Sequence, residues 1–448
     1  RDELLYVDDL VADPTHYPDW ATMIDEMHAD GFRVFAYFYP WVPIGQAQFL
    51  AAAEADALVR NPEGDPSTTW LLAPRATLDV TSPDAVRWWH ATLYEEAARY
   101  GVDGWMNDFG EYIAPTDRFA DGRDGRELHN AYPRLWAQVA REYWDARRPD
   151  GDYVFFSRSG YTGSWRYSPV VWTGDSNTDW SQGDGLPSVI AAVTSLGISG
   201  APVVATDIGG FLCLTGAPPA DRELYYRWTQ LGAMLPVMRE HNGQFNCRQN
   251  FLLDTDAESL AHWKVYADLH TALFPLFYTL VAEARDRGLP VVRHLVLEFP
   301  DQPGPRARQD DQFLVGDRIL VAPVIEQGAT RRSVWFPEGR WVHWRTGAVF
   351  EGPAERLVEA PLEVAPYFFR GDRILPLFDQ TIDTLVVEDD PDLSGFTDAN
   401  ASMEIRFHGG GEDTLTLWDG TRIACDGASR SCEVTGAPTE RRYTFRFE

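Results

Sequence analysis

The chain is poor in cysteine: four in 448 residues, none in a Cys-x-x-Cys pair, so the spacing of a structural zinc site is missing. No uninterrupted apolar run approaches the roughly 18 residues that a membrane-spanning helix needs, and no transmembrane segment is expected. Positive charge is scarce. Lys and Arg number 39 against 68 Asp and Glu, a formal net charge of −29. Nucleic acid and anionic membrane both require a basic face, so neither is expected as a partner. A neutral or cationic molecule suits this surface better. There is no Gly-x-Ser-x-Gly elbow and no Walker loop, no internal repeat and no long low-complexity linker. The chain starts at Arg1 without a signal peptide, so what precedes it is expected to have been removed or left out. Cys425 and Cys432 flank a short polar loop, residues 426–431. A disulfide there is expected and would point to a secreted or periplasmic protein. Two thiols in a cytoplasmic protein are the alternative.

What the chain does have is length and aromatic bulk. Its 448 residues exceed one ordinary domain but suit a barrel of about 250 residues followed by smaller domains. The 17 Trp, 18 Tyr and 24 Phe can fill large cores and also offer flat faces to sugar rings. Helical spacing from Trp20 to His28 stops at Asp30-Gly31, and an aromatic, β-branched run follows at 32–39. The same unit recurs. Ser82 as cap and Pro83 in the first turn start a helix that runs to about Tyr100. A strand ending on Asp108 follows it. Further strands are expected at 152–158, 168–175, 201–207 and 235–241, with helices at 128–146, 186–196 and 222–232. Counting 32–39, six strands alternate with helices, and several end on Asp, Arg or His. The fold class expected is therefore α/β. It is a (β/α)8 TIM barrel lacking its first strands over residues 1–288. All-β structure follows, as a proximal sandwich domain at 289–376 and a distal module at 377–448. Residues 41–80 read as a long loop insertion, with Trp41 and Trp70 as candidate substrate walls.

Three strand-end acids, Asp108, Asp175 and Asp207, would share the catalytic rim with Arg158, Arg239 and His241. Glycosidic bond cleavage needs two carboxyl groups in different states. One is ionised to meet the charge growing on the anomeric carbon, and the other holds a proton for the departing oxygen. Asp108 suits the first role and Asp175, behind Trp172-Thr173-Gly174, the second. Three acids could instead hold a divalent metal, so a metal-dependent hydrolase stays open. No metal or other cofactor is expected on the main reading. Residues 121–127 imitate a calcium loop, but the spacing fails, and a solvated acidic turn is expected.

Several motifs, in order, resemble glycoside hydrolase family 31. They are Gly104-Trp-Met-Asn-Asp-Phe-Gly-Glu-Tyr112, Phe156-Ser-Arg-Ser-Gly160, Trp172-Thr-Gly-Asp175, Thr206-Asp-Ile-Gly-Gly-Phe211 and Met238-Arg-Glu-His241. Gln312-Phe-Leu-Val-Gly316 with Ile319-Leu-Val-Ala-Pro323 resembles the β-domain signature beyond that family's barrel. The resemblance covers about residues 1–375. It implies a retaining, exo-acting α-glycosidase with Asp108 as nucleophile and Asp175 as general acid/base. It implies that Arg158, Trp172, Asp207, Phe211 and His241 line the terminal-sugar subsite, with Glu111 and Arg239 orienting neighbours. Within the family the chain looks most like the sulfoquinovosidase branch, to which Asp175-Ser-Asn-Thr-Asp-Trp180 corresponds. That branch carries a sulfonate-binding Tyr where this chain has Phe211, as neutral-sugar α-glucosidases do. The reading is therefore α-glucosidase-like. Sulfoquinovosidase, α-transglycosylase and a catalytically inactive sugar-binding protein are the alternatives.

Overall fold

A computed structural model describes residues 10–447 apart from 72, 214–217, 244–249, 309, 387–391 and 439. The chain divides into two compact units, 1–171 and 172–448.

In the first unit, strands β1 (Phe35–Phe38), β2 (Gly104–Asn107) and β3 (Val154–Ser157) run parallel and in register. The start of β4 (Val170–Trp172) is parallel to β3; the last residue of β4, Trp172, belongs to the second unit. All four residues of β2 are buried, as expected of a strand covered on both faces. Gly104 is required there. A Cβ at this position would lie 1.6 Å from the Val154 carbonyl oxygen, so any side chain would push β2 off β3. Helices lie between the strands. The Trp20–Ala29 helix ends where expected, with Gly31 at φ +78°. The Ser82 hydroxyl accepts from the Ala85 amide and caps the next helix. That helix holds a π segment, His90–Tyr94, which carries Tyr94 onto Trp105 of β2, with ring centroids 4.2 Å apart. Trp89, Trp105, Trp136 and Trp144 are fully buried in the same core.

Residues 41–80 are not a loop. They form a three-stranded antiparallel sheet, Trp41–Pro43, Ala73–Thr77 and Thr68–Leu71, with a helix at Ala47–Glu54. Its strands are only three to five residues long and two contain proline, which hides the strand pattern in the sequence. Trp41 is buried against Phe109, while Trp70 is exposed. At 121–127, Asp124 accepts from the amides of Arg126 and Glu127 and caps the Gly125–Leu128 helix.

In the second unit, β5 (Val203–Ile208) and β6 (Val237–Glu240) pair in parallel, Asp207 opposite Arg239. Helices Leu186–Ile198 and Arg222–Gly232 precede them. Helices Ala257–Ala272 and Phe274–Arg287 follow, the latter closed by Gly288 at φ +73°. Antiparallel structure then takes over. A six-stranded sheet is ordered Val292–Arg293, Phe313–Val315, Ile319–Val321, Tyr367–Arg370, Arg331–His343, Val349–Glu359. Two three-stranded sheets complete the chain. Buried Arg227, on the Arg222–Gly232 helix, donates to the carbonyls of Ala329, Ala360 and Pro361 and so ties that helix to the six-stranded sheet's connections. Cys425 and Cys432 face each other across adjacent strands and form a disulfide. Cys213 is also disulfide-bonded; Cys247 lies outside the described residues. Among the described residues no single helix is long and apolar enough to cross a membrane.

Candidate active site

The first unit places Asp108 one residue past β2. Its own amide donates to the Phe38 carbonyl at 2.8 Å, and its carbonyl accepts from the Trp136 indole at 3.1 Å, so the backbone is held from both sides. The side chain is buried, 4% exposed, yet its surroundings are polar. Oδ2 accepts from the Tyr37 hydroxyl at 2.6 Å. Oδ1 accepts from the Phe109 amide at 2.7 Å and meets Arg158 Nε at 3.3 Å. An acid with such donors is stabilised as a carboxylate. Phe109 itself adopts φ +59°, a region that costs a non-glycine residue about 1 kcal/mol or more. Packing maintains it. The Arg158 guanidinium lies 3.8 Å from the Phe109 ring centroid, the Trp41 ring 4.6 Å away, and Ser159 Oγ donates to the Phe109 carbonyl at 2.6 Å.

Arg158 follows β3 directly. Its Nε and Nη2 donate to Glu111 Oε1 at 3.0 and 2.6 Å. Glu111 therefore fixes the guanidinium that faces Asp108. Tyr37 did not enter the sequence reading as a site residue; on an aromatic strand it reads as packing, and only its register with Met106 of β2 brings it beside Asp108.

The second unit gathers the other candidates at the ends of β4, β5 and β6. Trp172 ends β4 and is fully buried. The Thr173 amide donates to the Ala205 carbonyl at 3.1 Å, and Gly174 at φ +88° turns the chain, so Asp175 stands half-buried on the loop beyond. Asp207 lies inside β5 rather than at its end and is 1% exposed. It is ion-paired with Arg239 of β6. That guanidinium also sits 5.3 Å from the Trp172 ring centroid and donates to His241 Nδ1 at 2.6 Å. His241 follows β6. Burial, and then the Arg239 charge, push its imidazole down to about 4, so it is neutral near pH 7 and its other nitrogen, Nε2, carries the proton.

Phe211 packs on His241, ring centroids 4.7 Å apart. Its amide donates to the Ser176 carbonyl at 2.8 Å, and the Gly243 amide donates to the Phe211 carbonyl at 3.1 Å. Those bonds join the loops after β4, β5 and β6. Gly210 permits the approach, since a Cβ there would lie 2.9 Å from Thr178 Cα. Asp179, already within the 175–180 motif, and Asp184, which the sequence reading passed over, share the loop with Asp175. Burial first, and then the charges of Asp179 and Asp175, push the Asp184 carboxyl up. Among the described residues no group of three or more His, Cys, Asp or Glu is arranged to hold a metal ion.

In the first unit Asp108, just past β2, faces the Arg158 guanidinium, and in the second buried Asp207 is paired with Arg239 beside Trp172; acids and aromatic rings at strand ends are what a carbohydrate site on a parallel barrel is built from. Comparison with known families identifies the domains. Residues 4–280 match the glycosyl hydrolases family 31 TIM-barrel domain, and residues 288–375 match the glycosyl hydrolase family 31 C-terminal domain. The chain belongs to glycoside hydrolase family 31. The sulfoquinovosidase of Agrobacterium fabrum is 35% identical over 367 residues, 81% of this chain and 55% of that protein. Alpha-glucosidase 2 of Bacillus thermoamyloliquefaciens is 30% identical over 357 residues, 76% of this chain and 42% of that one. A solved family 31 sulfoquinovosidase from E. rectale, in complex with an aza-sugar inhibitor, superposes with a TM-score of 0.77 at 30% identity, covering 82% of this chain and 54% of that chain. The chain thus spans about half the length of the relatives it matches.

Proposed function

We propose that the protein is an exo-acting retaining α-glycosidase that releases terminal α-linked sugars. The observation that carries the reading is Asp108, a buried carboxylate aimed by a hydroxyl, a backbone amide and a guanidinium. Asp108 Oδ2 attacks the anomeric carbon, and the bond to the leaving oxygen breaks as Asp175 delivers its proton there. Asp175 then takes a proton from water, whose oxygen displaces Asp108 and leaves the α configuration. Asp175 is half-buried on a loop that it shares with Asp179 and Asp184. His241 and Phe211 form a wall for the terminal sugar, in which neutral His241 offers an N–H to a hydroxyl; Asp207, expected to line that subsite, is instead buried and held by Arg239, which contacts His241. Arg158 and Glu111 hold the nucleophile in place.

A neutral hexose is the substrate proposed. Arg158 in the first unit is committed to Glu111 and Asp108, Arg239 in the second to Asp207, and Phe211 brings no hydroxyl to the wall. The second reading is a sulfoquinovoside, favoured by the 35% identical relative. The disulfides support an oxidising compartment.

A panel of nitrophenyl α-glycosides, with glucoside, xyloside, galactoside and sulfoquinovoside, tests the proposal on the full-length protein. Fastest turnover of the glucoside, abolished in both Asp108→Asn and Asp175→Asn, is expected. Selective turnover of the sulfoquinovoside favours the second reading. Undiminished turnover in Asp108→Asn overturns both.

A further inference from the structure

The two oxygens of Asp108 are held differently. Oδ1 takes the Phe109 amide and the Arg158 guanidinium, both fixed by the strained turn and by Glu111. Oδ2 takes the Tyr37 hydroxyl at 2.6 Å, a donor that rotates about its own C–O bond. Tyr37 is 40% exposed and Asp108 4% exposed, and the part-buried bond between them links the phenol oxygen to the enclosed carboxylate. Burial, and then the Asp108 charge, push the phenol well above its ordinary value. It therefore stays protonated and remains a donor throughout the working pH range.

We infer that Tyr37 is a positioning residue for the nucleophile, one that presents Oδ2 as the attacking oxygen and takes back its charge when the glycosyl bond breaks. The inference rests on Asp108 acting as proposed above. As the anomeric carbon bonds to Oδ2, that oxygen loses its charge and its hydrogen bond weakens. The hydroxyl is then free to turn toward an oxygen of the bound sugar. When water displaces the carboxylate, the electron pair of the C–O bond returns to Oδ2. The Tyr37 proton then meets the growing charge there. Such a bond strengthens as charge develops, which is the condition for lowering a barrier rather than only binding substrate.

Tyr37→Phe keeps the ring and removes the donor. Because the bond strengthens as the glycosyl-enzyme breaks down, losing a hydrogen bond to an ionised group translates into a fall of about ten- to a hundredfold in the deglycosylation rate, read as kcat on the full-length protein with an activated nitrophenyl glycoside. The acid limb of the pH profile should also move to higher pH, because a carboxylate that has lost a donor protonates more readily. Thermal melting of the variant checks that it is folded. Reduced kcat together with an acid limb of kcat/KM moved to higher pH supports the inference. A wild-type rate overturns it, and so does a reduced rate with an unmoved acid limb, which would assign Tyr37 a packing role only. Asp108→Asn is assayed alongside. If that variant turns over normally, Asp108 is not the nucleophile, an outcome separable from failure of Tyr37→Phe alone.

Discussion

Replacing Arg239 with methionine isolates the electrostatic core of the second unit. Asp207 is 1% exposed and ion-paired with Arg239. Methionine keeps most of the side-chain volume and leaves a buried carboxylate without its cation. Removing one partner of a buried pair costs about 3–5 kcal/mol, well above the ~1 kcal/mol of an exposed pair. The cost should depend on pH. With its cation gone, Asp207 in the folded protein would protonate well above the ordinary carboxylate range, whereas in the unfolded chain it titrates near 3.9. A group whose folded value is raised loses its stabilisation as pH rises, so the penalty of Arg239→Met should be largest near pH 7.5 and shrink toward pH 5. Urea denaturation of both proteins at the two pH values measures this. The Asp207→Asn/Arg239→Met double variant should be less damaged than Arg239→Met alone, because no charge is left behind. A cost below about 1 kcal/mol at pH 7.5, or strictly additive single and double variants, would refute the assignment of this pair as a coupled buried unit.

Two further outcomes follow from burial and backbone geometry. Burial lowers His262 and His343 to about 4, so the unfolded chain takes up protons below pH 6.5 that the folded protein refuses. Stability should be full above pH 6.5 and fall as pH drops toward 4, by roughly 2–3 kcal/mol per pH unit for the pair at its steepest; urea midpoints at pH 7 and 5 check this, and equal midpoints would count against it. Gly104→Ala should abolish soluble expression, because the new methyl would overlap the Val154 carbonyl. A soluble variant with wild-type melting would show that β2 and β3 tolerate separation.

The parallel strands were legible because each is a compact apolar run ending on a polar residue. The observed strands are shorter than the runs that announce them. Four residues form β1 where the eight positions 32–39, six of them aromatic or β-branched, read as strand, since apolar composition continues past the point where pairing stops. The sheet within 41–80 was illegible for the opposite reason: its strands are too short for an alternation to register, and Pro43 and Pro74 sit inside two of them. Asp108, Arg158, Asp175 and His241 could be found because strand-end polar residues stand out against buried runs. Tyr37 could not, because a tyrosine on an aromatic strand looks like packing until a partner across the sheet gives its hydroxyl a purpose. Phe109 carries the same lesson, since no feature of phenylalanine announces a positive φ.

The stereochemistry of the first product formed tests the central claim most directly. With Asp108 and Asp175 acting in two successive displacements, proton NMR of an α-glycoside digest should show the α-anomer of the released sugar first, the β-anomer growing in only as the sugar mutarotates. If the β-anomer appears first, water attacks the sugar directly, and Asp108 is not a nucleophile.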